Sequence, residues 1–114
     1  MDIPIEFWTR LDQLVATSEL VIDRPRGTAH PRYPDFIYPL DYGYLDGTTA
    51  ADGGGIDVWV GSLSPKMPTG LIVTLDLLKR DSEIKILLGC TGEEMIVALQ
   101  THSSQHMQGA LIRR

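Results

Sequence analysis

Proline and glycine residues are concentrated between positions 26 and 55, and this concentration constrains the fold more than any other feature of the sequence. The residues concerned are Pro31, Pro34, Pro39, Gly43, Gly47, Gly53, Gly54 and Gly55. Proline removes a backbone donor and clashes inside a helix, so no long helix is expected in this segment. Short strands or irregular loops are predicted instead.

Helices are predicted only near the two ends of the chain. In residues 4–16, apolar side chains recur at three- and four-residue spacings, which is typical of an amphipathic helix. Near the other end, Thr91 and Glu94 have the spacing of a capping box, in which each side chain accepts a hydrogen bond from the other residue's backbone N–H. This motif predicts a helix over about residues 92–103.

Strands are predicted where polar and apolar residues alternate or where short apolar runs end at turn residues. In residues 56–60 the sequence alternates, so that Asp57 and Trp59 share one face of a strand and three aliphatic residues share the other. Further strands are expected at residues 19–24, 71–79, 83–88 and 109–113. Short strands with helices near the ends favour a small β-barrel, or a sheet covered by helices.

The composition suits one small domain over residues 1–114. Of the 114 residues, 43% are hydrophobic, and a chain of this length buries about two-thirds of its surface on folding. The lone cysteine, Cys90, excludes an intrachain disulfide framework and a cysteine-cluster zinc site. No apolar run approaches the ~20 residues of a membrane span and no secretory signal pattern is found, so a cytoplasmic protein without a membrane partner is expected.

Charge is unevenly distributed along the chain. The net charge of −5 argues against a general nucleic-acid surface. Four basic or imidazole side chains nevertheless lie within nine residues, namely Arg24, Arg26, His30 and Arg32. The stretch from Asp35 to Asp57 then holds five aspartates and no basic residue. A cationic segment followed by an acidic one would suit a metal-bound anion, and ordinary surface charge is the alternative interpretation.

An ordered series of motifs between residues 38 and 60 resembles the signature of the soluble (family I) inorganic pyrophosphatases. The series consists of Tyr38-Pro39, Tyr42-Gly43-Tyr44, Asp52-Gly53 and Asp57. The resemblance implies a mainly β (α+β) domain built on a five-stranded OB-type barrel with flanking helices. It also implies a homo-oligomer that hydrolyses inorganic pyrophosphate to two phosphates with Mg²⁺.

The resemblance implies a metal site made of aspartates. Asp52 and Asp57 match carboxylates that bind catalytic metal in the family, and Asp81 is a candidate third ligand. Hard Mg²⁺ ions prefer carboxylate oxygens, and a bound metal lowers the pKa of the attacking water. Asp57 is the strongest candidate, because a carboxylate in a strand of aliphatic residues is costly to desolvate without a partner. An arginine or backbone donors could be that partner instead of a metal.

Five residues are candidates for binding the phosphates, and all of them follow from the resemblance. They are Arg24, His30, Arg32, Tyr42 and Lys85. Tyr42 matches a family tyrosine directly, and we predict it to be catalytic together with Asp57. In the loop segment that precedes Lys85, Asp81 and Glu83 match the carboxylates of the family, although Asp81 could simply form a hairpin turn.

The sequence also departs from the family pattern. Gly54 replaces the second carboxylate of the acidic loop, which helps to activate water in the family, and no counterpart of a C-terminal Tyr-Lys pair is found. Slow or absent catalysis is therefore one expectation. The alternatives to pyrophosphate hydrolysis are a non-catalytic protein that binds a phosphorylated metabolite or its own copies, and a hydrolase of another phosphate anhydride or ester.

Overall fold

The computed structural model describes residues 2–114 and consists of two helices and six strands. The elements are α1 (Ile5–Ala16), β1 (Glu19–Arg24), β2 (Asp41–Asp46), β3 (Ile56–Val60), β4 (Pro68–Asp76), β5 (Asp81–Leu88), α2 (Gly92–Thr101) and β6 (Met107–Arg113). The two predicted helices and the predicted strand over residues 19–24 are confirmed. In the described chain, no helix is long and apolar enough to cross a membrane.

All six strands belong to one sheet, in the order β1-β2-β3-β5-β4-β6. Neighbouring strands are antiparallel except β3 and β5, which are parallel. The prediction of five strands is wrong. Strands β1 and β6 are the two edges, and the sheet described for residues 2–114 is not closed into a barrel. The fold is mainly β with two helices, an α+β arrangement.

Strand β2 lies in the segment where only short strands or loops were predicted. It contains the Tyr-Gly-Tyr motif and pairs with both β1 and β3. Gly43 faces the backbone of β1 so closely that a Cβ atom would lie 1.8 Å from the carbonyl oxygen of Val21. Glycine is therefore required where β1 packs against β2, and a glycine inside a strand also weakens the sequence signal for that strand.

The two helices cover opposite faces of the sheet. On one face, Trp8 and Leu11 of α1 pack with a buried cluster that includes Val58, Leu71 and Ile86. The other face carries a second cluster, whose members include Tyr38, Trp59, Ile72, Leu87, Met95 and Ala98. Alternation along each strand sends successive side chains to different clusters. The strand centres are therefore buried on both sides.

The predicted capping box at the start of α2 is present. The Thr91 hydroxyl accepts a hydrogen bond from the backbone N–H of Glu94 at 3.2 Å, and the Glu94 carboxylate accepts one from the N–H of Thr91 at 2.9 Å. Glu94 also accepts hydrogen bonds from the backbone N–H and the hydroxyl of Ser62. The cap thus fixes the helix to the loop that follows β3.

Substitution of Gly43 tests the close approach of β1 and β2. We expect Gly43→Ala to lower the free energy of unfolding by about 3 kcal/mol or more, because the added methyl group overlaps backbone atoms that cannot rotate away. Gly54→Ala is the control, since its Cβ would meet only the Asp52 carboxylate, at 3.4 Å. Urea unfolding measures both variants. Equal stability of the two variants would contradict the close approach.

Candidate functional site

The best-defined cluster of charged side chains lies where β3 and β5 run side by side. Asp57 and Lys85 are register partners in this parallel pair. The Lys85 ammonium donates hydrogen bonds to the Asp57 carboxylate at 2.7 Å and to the Glu83 carboxylate at 2.6 Å. Two carboxylates thus converge on one cation, and we call Asp57, Glu83 and Lys85 the Lys85 cluster.

Because Lys85 is buried, its ammonium needs the Asp57 and Glu83 carboxylates as charged partners. The residue is only 6% exposed, and an unpaired ammonium at such a position would lose its hydration without compensation. Burial lowers the pKa of Lys85, but the hydrogen bonds with the Asp57 and Glu83 carboxylates and the charge of Asp57 raise it, and the pKa ends above its usual value. Lys85 is therefore a permanent cation at neutral pH.

Asp52 lies beside this cluster, on the loop before β3. Its carboxylate accepts a hydrogen bond from the backbone N–H of Gly54 at 3.0 Å. That bond is the main reason why the pKa of Asp52 is lowered, and the charge of Lys85 lowers it further. Three of the predicted site residues, Asp52, Asp57 and Lys85, are thus brought together by the fold.

Tyr42 forms the link between the Lys85 cluster and a set of aromatic rings. Its ring lies 6.0 Å from the Lys85 ammonium and 4.5 Å from the ring of Trp59, centre to centre. Burial raises the pKa of Tyr42, the charge of Lys85 opposes this, and the nearby Asp57 carboxylate raises it further. Tyr42 is therefore a neutral phenol that can donate a hydrogen bond.

Aromatic side chains surround an open cavity of about 390 Å³ next to Tyr42. We call it the aromatic pocket, and its walls include His30, Tyr33, Tyr38, Tyr42, Trp59 and His102. The resemblance made His30 a candidate phosphate ligand, and the structure gives it aromatic neighbours, with Tyr38 stacked at 6.2 Å and Tyr33 at 5.1 Å.

The two predicted arginines occupy different positions relative to this pocket. Arg24 is the register partner of Tyr42 across β1 and β2, so the fold brings it alongside the site. Arg32 is exposed, and its backbone N–H donates to Nδ1 of His30 at 3.0 Å. Neither arginine forms an ion pair with an acidic side chain among the described residues.

Asp81 is not brought to the Lys85 cluster. It is the register partner of Asp76 at the start of β5, whereas Lys85 lies opposite Ile72. Four residues of strand separate Asp81 from Lys85 by about 13 Å. Glu83 occupies the intermediate position and supplies the carboxylate instead. Residues two apart on a strand share a face, so the sequence already contained the signal that Glu83 lies on the same side of β5 as Lys85.

His102 connects α2 to the same region. The helix ends at Thr101, so His102 and His106 do not form the helical metal pair that their spacing allows. The indole N–H of Trp59 instead donates to Nε2 of His102 at 3.0 Å. Within residues 2–114, no group of three or more His, Cys, Asp or Glu side chains is arranged so that it could hold a metal ion by itself.

Comparison with known proteins supports the fold of this chain. No family model and no curated protein sequence matches it. Among solved structures, it is similar to an inorganic phosphatase from Anaplasma phagocytophilum, with a TM-score of 0.57 over 82% of this chain and 81% of that chain. The sequence identity is 15%. The chain therefore has a fold like that of this phosphatase, as the motif resemblance suggested.

The neutral state of His102 predicts how stability depends on pH. Burial, and then the charge of Lys85, lower the pKa of His102 to about 4. Between pH 6.5 and 4 the unfolded chain binds a proton at His102 that the folded protein excludes, so stability falls as the pH falls. The expected loss from this residue is about 2–3 kcal/mol.

Urea unfolding at pH 7 and pH 4.5 measures this loss. We expect His102→Gln to lose less stability between the two pH values than the unsubstituted protein does. His106→Gln, at an exposed position, is expected to keep the original pH dependence. The same pH dependence in all three proteins would show that His102 is not held neutral by the fold.

Proposed function

We propose that this protein hydrolyses inorganic pyrophosphate to two phosphates with the help of Mg²⁺. The observation that carries the proposal is the convergence of Asp57 and Glu83 on one cation, with Asp52 beside them. Three carboxylates and one ammonium give this site a net charge of about −2 at neutral pH. Such a site repels a bare phosphate anion and attracts a phosphate that arrives with a divalent cation.

The donor chemistry of the site fits Mg²⁺. The Asp57 and Glu83 oxygens lie within 2.7 Å of one shared position, which the Lys85 ammonium occupies. In the described part of the chain no group of three ligands could hold a metal by itself. Mg²⁺ commonly uses one or two protein carboxylates together with substrate phosphates. Asp57 and Glu83 would therefore hold the ion together with the phosphates of the substrate, Asp52 would add negative charge beside them, and the ion would supply an activated water.

The remaining side chains would act on the phosphates. When Asp57 and Glu83 bind another cation, the Lys85 ammonium, which stays charged at neutral pH, is free to bind a phosphate oxygen. Tyr42 is a neutral donor next to it. Arg24 and Arg32 would bind the more distant phosphate, for which the planar guanidinium group of arginine is suited.

Glu83 and Asp81 provide a matched test of the proposal, because both lie on one face of β5 and two residues apart. We expect Glu83→Gln to reduce Mg²⁺-dependent phosphate release from pyrophosphate by at least about a hundredfold, as loss of a charge-stabilising group does. Asp81→Asn should leave the rate unchanged. Equal rates for the two variants, or no release by the unsubstituted protein, would contradict the proposal.

A second candidate function is binding without catalysis. The Lys85 ammonium already donates a hydrogen bond to the Asp57 carboxylate, so this ion pair compensates for the partial burial of the carboxylate without a metal. The acidic loop also has Gly54 at the position where the soluble inorganic pyrophosphatases, which its motifs resemble, have a carboxylate that helps to activate water. Such a protein would bind a phosphorylated metabolite or its own copies. Self-association would use exposed apolar residues such as Leu75 and Leu78, and light scattering would test it.

Asp57→Asn tests whether Asp57 holds the metal ion or serves only as the partner of Lys85. The substitution leaves Lys85 with one charged partner, and we expect it to lower the free energy of unfolding by about 1–3 kcal/mol in either case. If the site binds Mg²⁺ and pyrophosphate, adding both should raise the melting temperature of the unsubstituted protein but not that of the variant. An equal rise in both proteins would remove Asp57 from the metal site.

A further inference from the structure

The aromatic pocket contains more ring surface than binding of phosphate requires. Tyr38 packs against Tyr42 with ring centres 5.7 Å apart, and Tyr42 packs against Trp59 at 4.5 Å. Tyr33 lies at 5.1 Å from His30 and is 64% exposed. A tyrosine this exposed, at the edge of a ring cluster, offers a free face on which a further planar group can stack.

The pocket contains two imidazole rings, and each accepts a hydrogen bond on one of its nitrogens. Nδ1 of His30 accepts the backbone N–H of Arg32, so the neutral ring carries its proton on Nε2. Nε2 of His102 accepts the indole N–H of Trp59, so the proton of this neutral ring is on Nδ1. The pocket lining contains no carboxylate, lysine or arginine. It is therefore suited to a planar ring with acceptor atoms at its edge, rather than to a cation or a bare phosphate.

Tyr42 belongs to both the aromatic pocket and the surroundings of the Lys85 cluster. Its ring lines the pocket, while Lys85 and Asp57 lie close enough to change the pKa of its hydroxyl. A molecule whose ring occupies the pocket can therefore place a group attached to that ring near the cluster. The cavity of about 390 Å³ is within the usual size of small-molecule sites.

We propose that the aromatic pocket binds the base of a nucleoside phosphate whose phosphates lie at the Lys85 cluster. This inference rests on the proposed function for its phosphate part and extends it by naming the ligand class. Base recognition rests on the ring faces and the two imidazole donors alone. A nucleoside diphosphate carries the same anhydride as pyrophosphate and adds the ring that the pocket accommodates.

Calorimetry with adenosine 5′-diphosphate, inorganic pyrophosphate and adenosine, each with Mg²⁺, tests this inference. We expect the nucleotide to bind at least about tenfold more tightly than pyrophosphate, as stacking of one base allows. Tyr33→Ala should weaken nucleotide binding about tenfold and leave pyrophosphate binding unchanged. Phe7→Ala is the control, because Phe7 is a partly exposed aromatic residue of α1, on the other face of the sheet.

The outcomes distinguish the inference from the proposed function. Equal affinity for the nucleotide and pyrophosphate, with no effect of Tyr33→Ala, would overturn the base pocket and leave the phosphate site standing. Adenosine that binds as tightly as the nucleotide, with no binding of pyrophosphate, would support base recognition and overturn the proposed function. No binding of any of the three compounds would overturn both. Circular dichroism verifies that the Tyr33 variant is folded.

Discussion

The buried ammonium of Lys85 between Asp57 and Glu83 is the interaction on which the centre of the structure depends. An ammonium at 6% exposure must have charged partners. Glu83 lies on the same strand as Lys85, but Asp57 is in place only if β3 and β5 pair in the observed register. A slip of one residue would turn Lys85 to the opposite face, among the aliphatic side chains packed under α1. The register of the parallel pair and the composition of the candidate site are therefore fixed by the same requirement.

The same interaction explains why two functions fit one geometry. Carboxylates that hold an ammonium at 2.6 and 2.7 Å present oxygens suited to another cation. The excess of negative charge around Lys85 attracts that cation, while the existing ion pair opposes its entry. The relative strength of these two effects would decide whether a divalent cation can enter the site, as the proposed hydrolysis requires. The aromatic pocket does not depend on that balance, because no carboxylate, lysine or arginine of residues 2–114 lines it.

Much of the fold was predictable from local patterns, and the exceptions have identifiable causes. The spacing of apolar residues in 4–16 and the capping box at Thr91 were sufficient to predict both helices. The alternation of polar and apolar residues was sufficient to predict β3. Strand β2 was predicted only as part of a segment of short strands or loops, because Gly43, which the contact with Val21 requires, weakens the strand signal there. The five-stranded barrel was carried over from the family resemblance alone, and the sheet has six strands and two edges.

The sequence by itself determined which candidate site residues lie near β3: the Tyr-Gly-Tyr motif, Asp52 and Asp57 are all close together along the chain. Only the tertiary structure decided that Glu83 rather than Asp81 joins them and that Lys85 is the partner of Asp57. It also decided that His102 meets Trp59, 43 residues away. The physical reason is that periodicity along a strand or helix reports the face of a side chain, whereas its partners depend on which strands pair, and in what register.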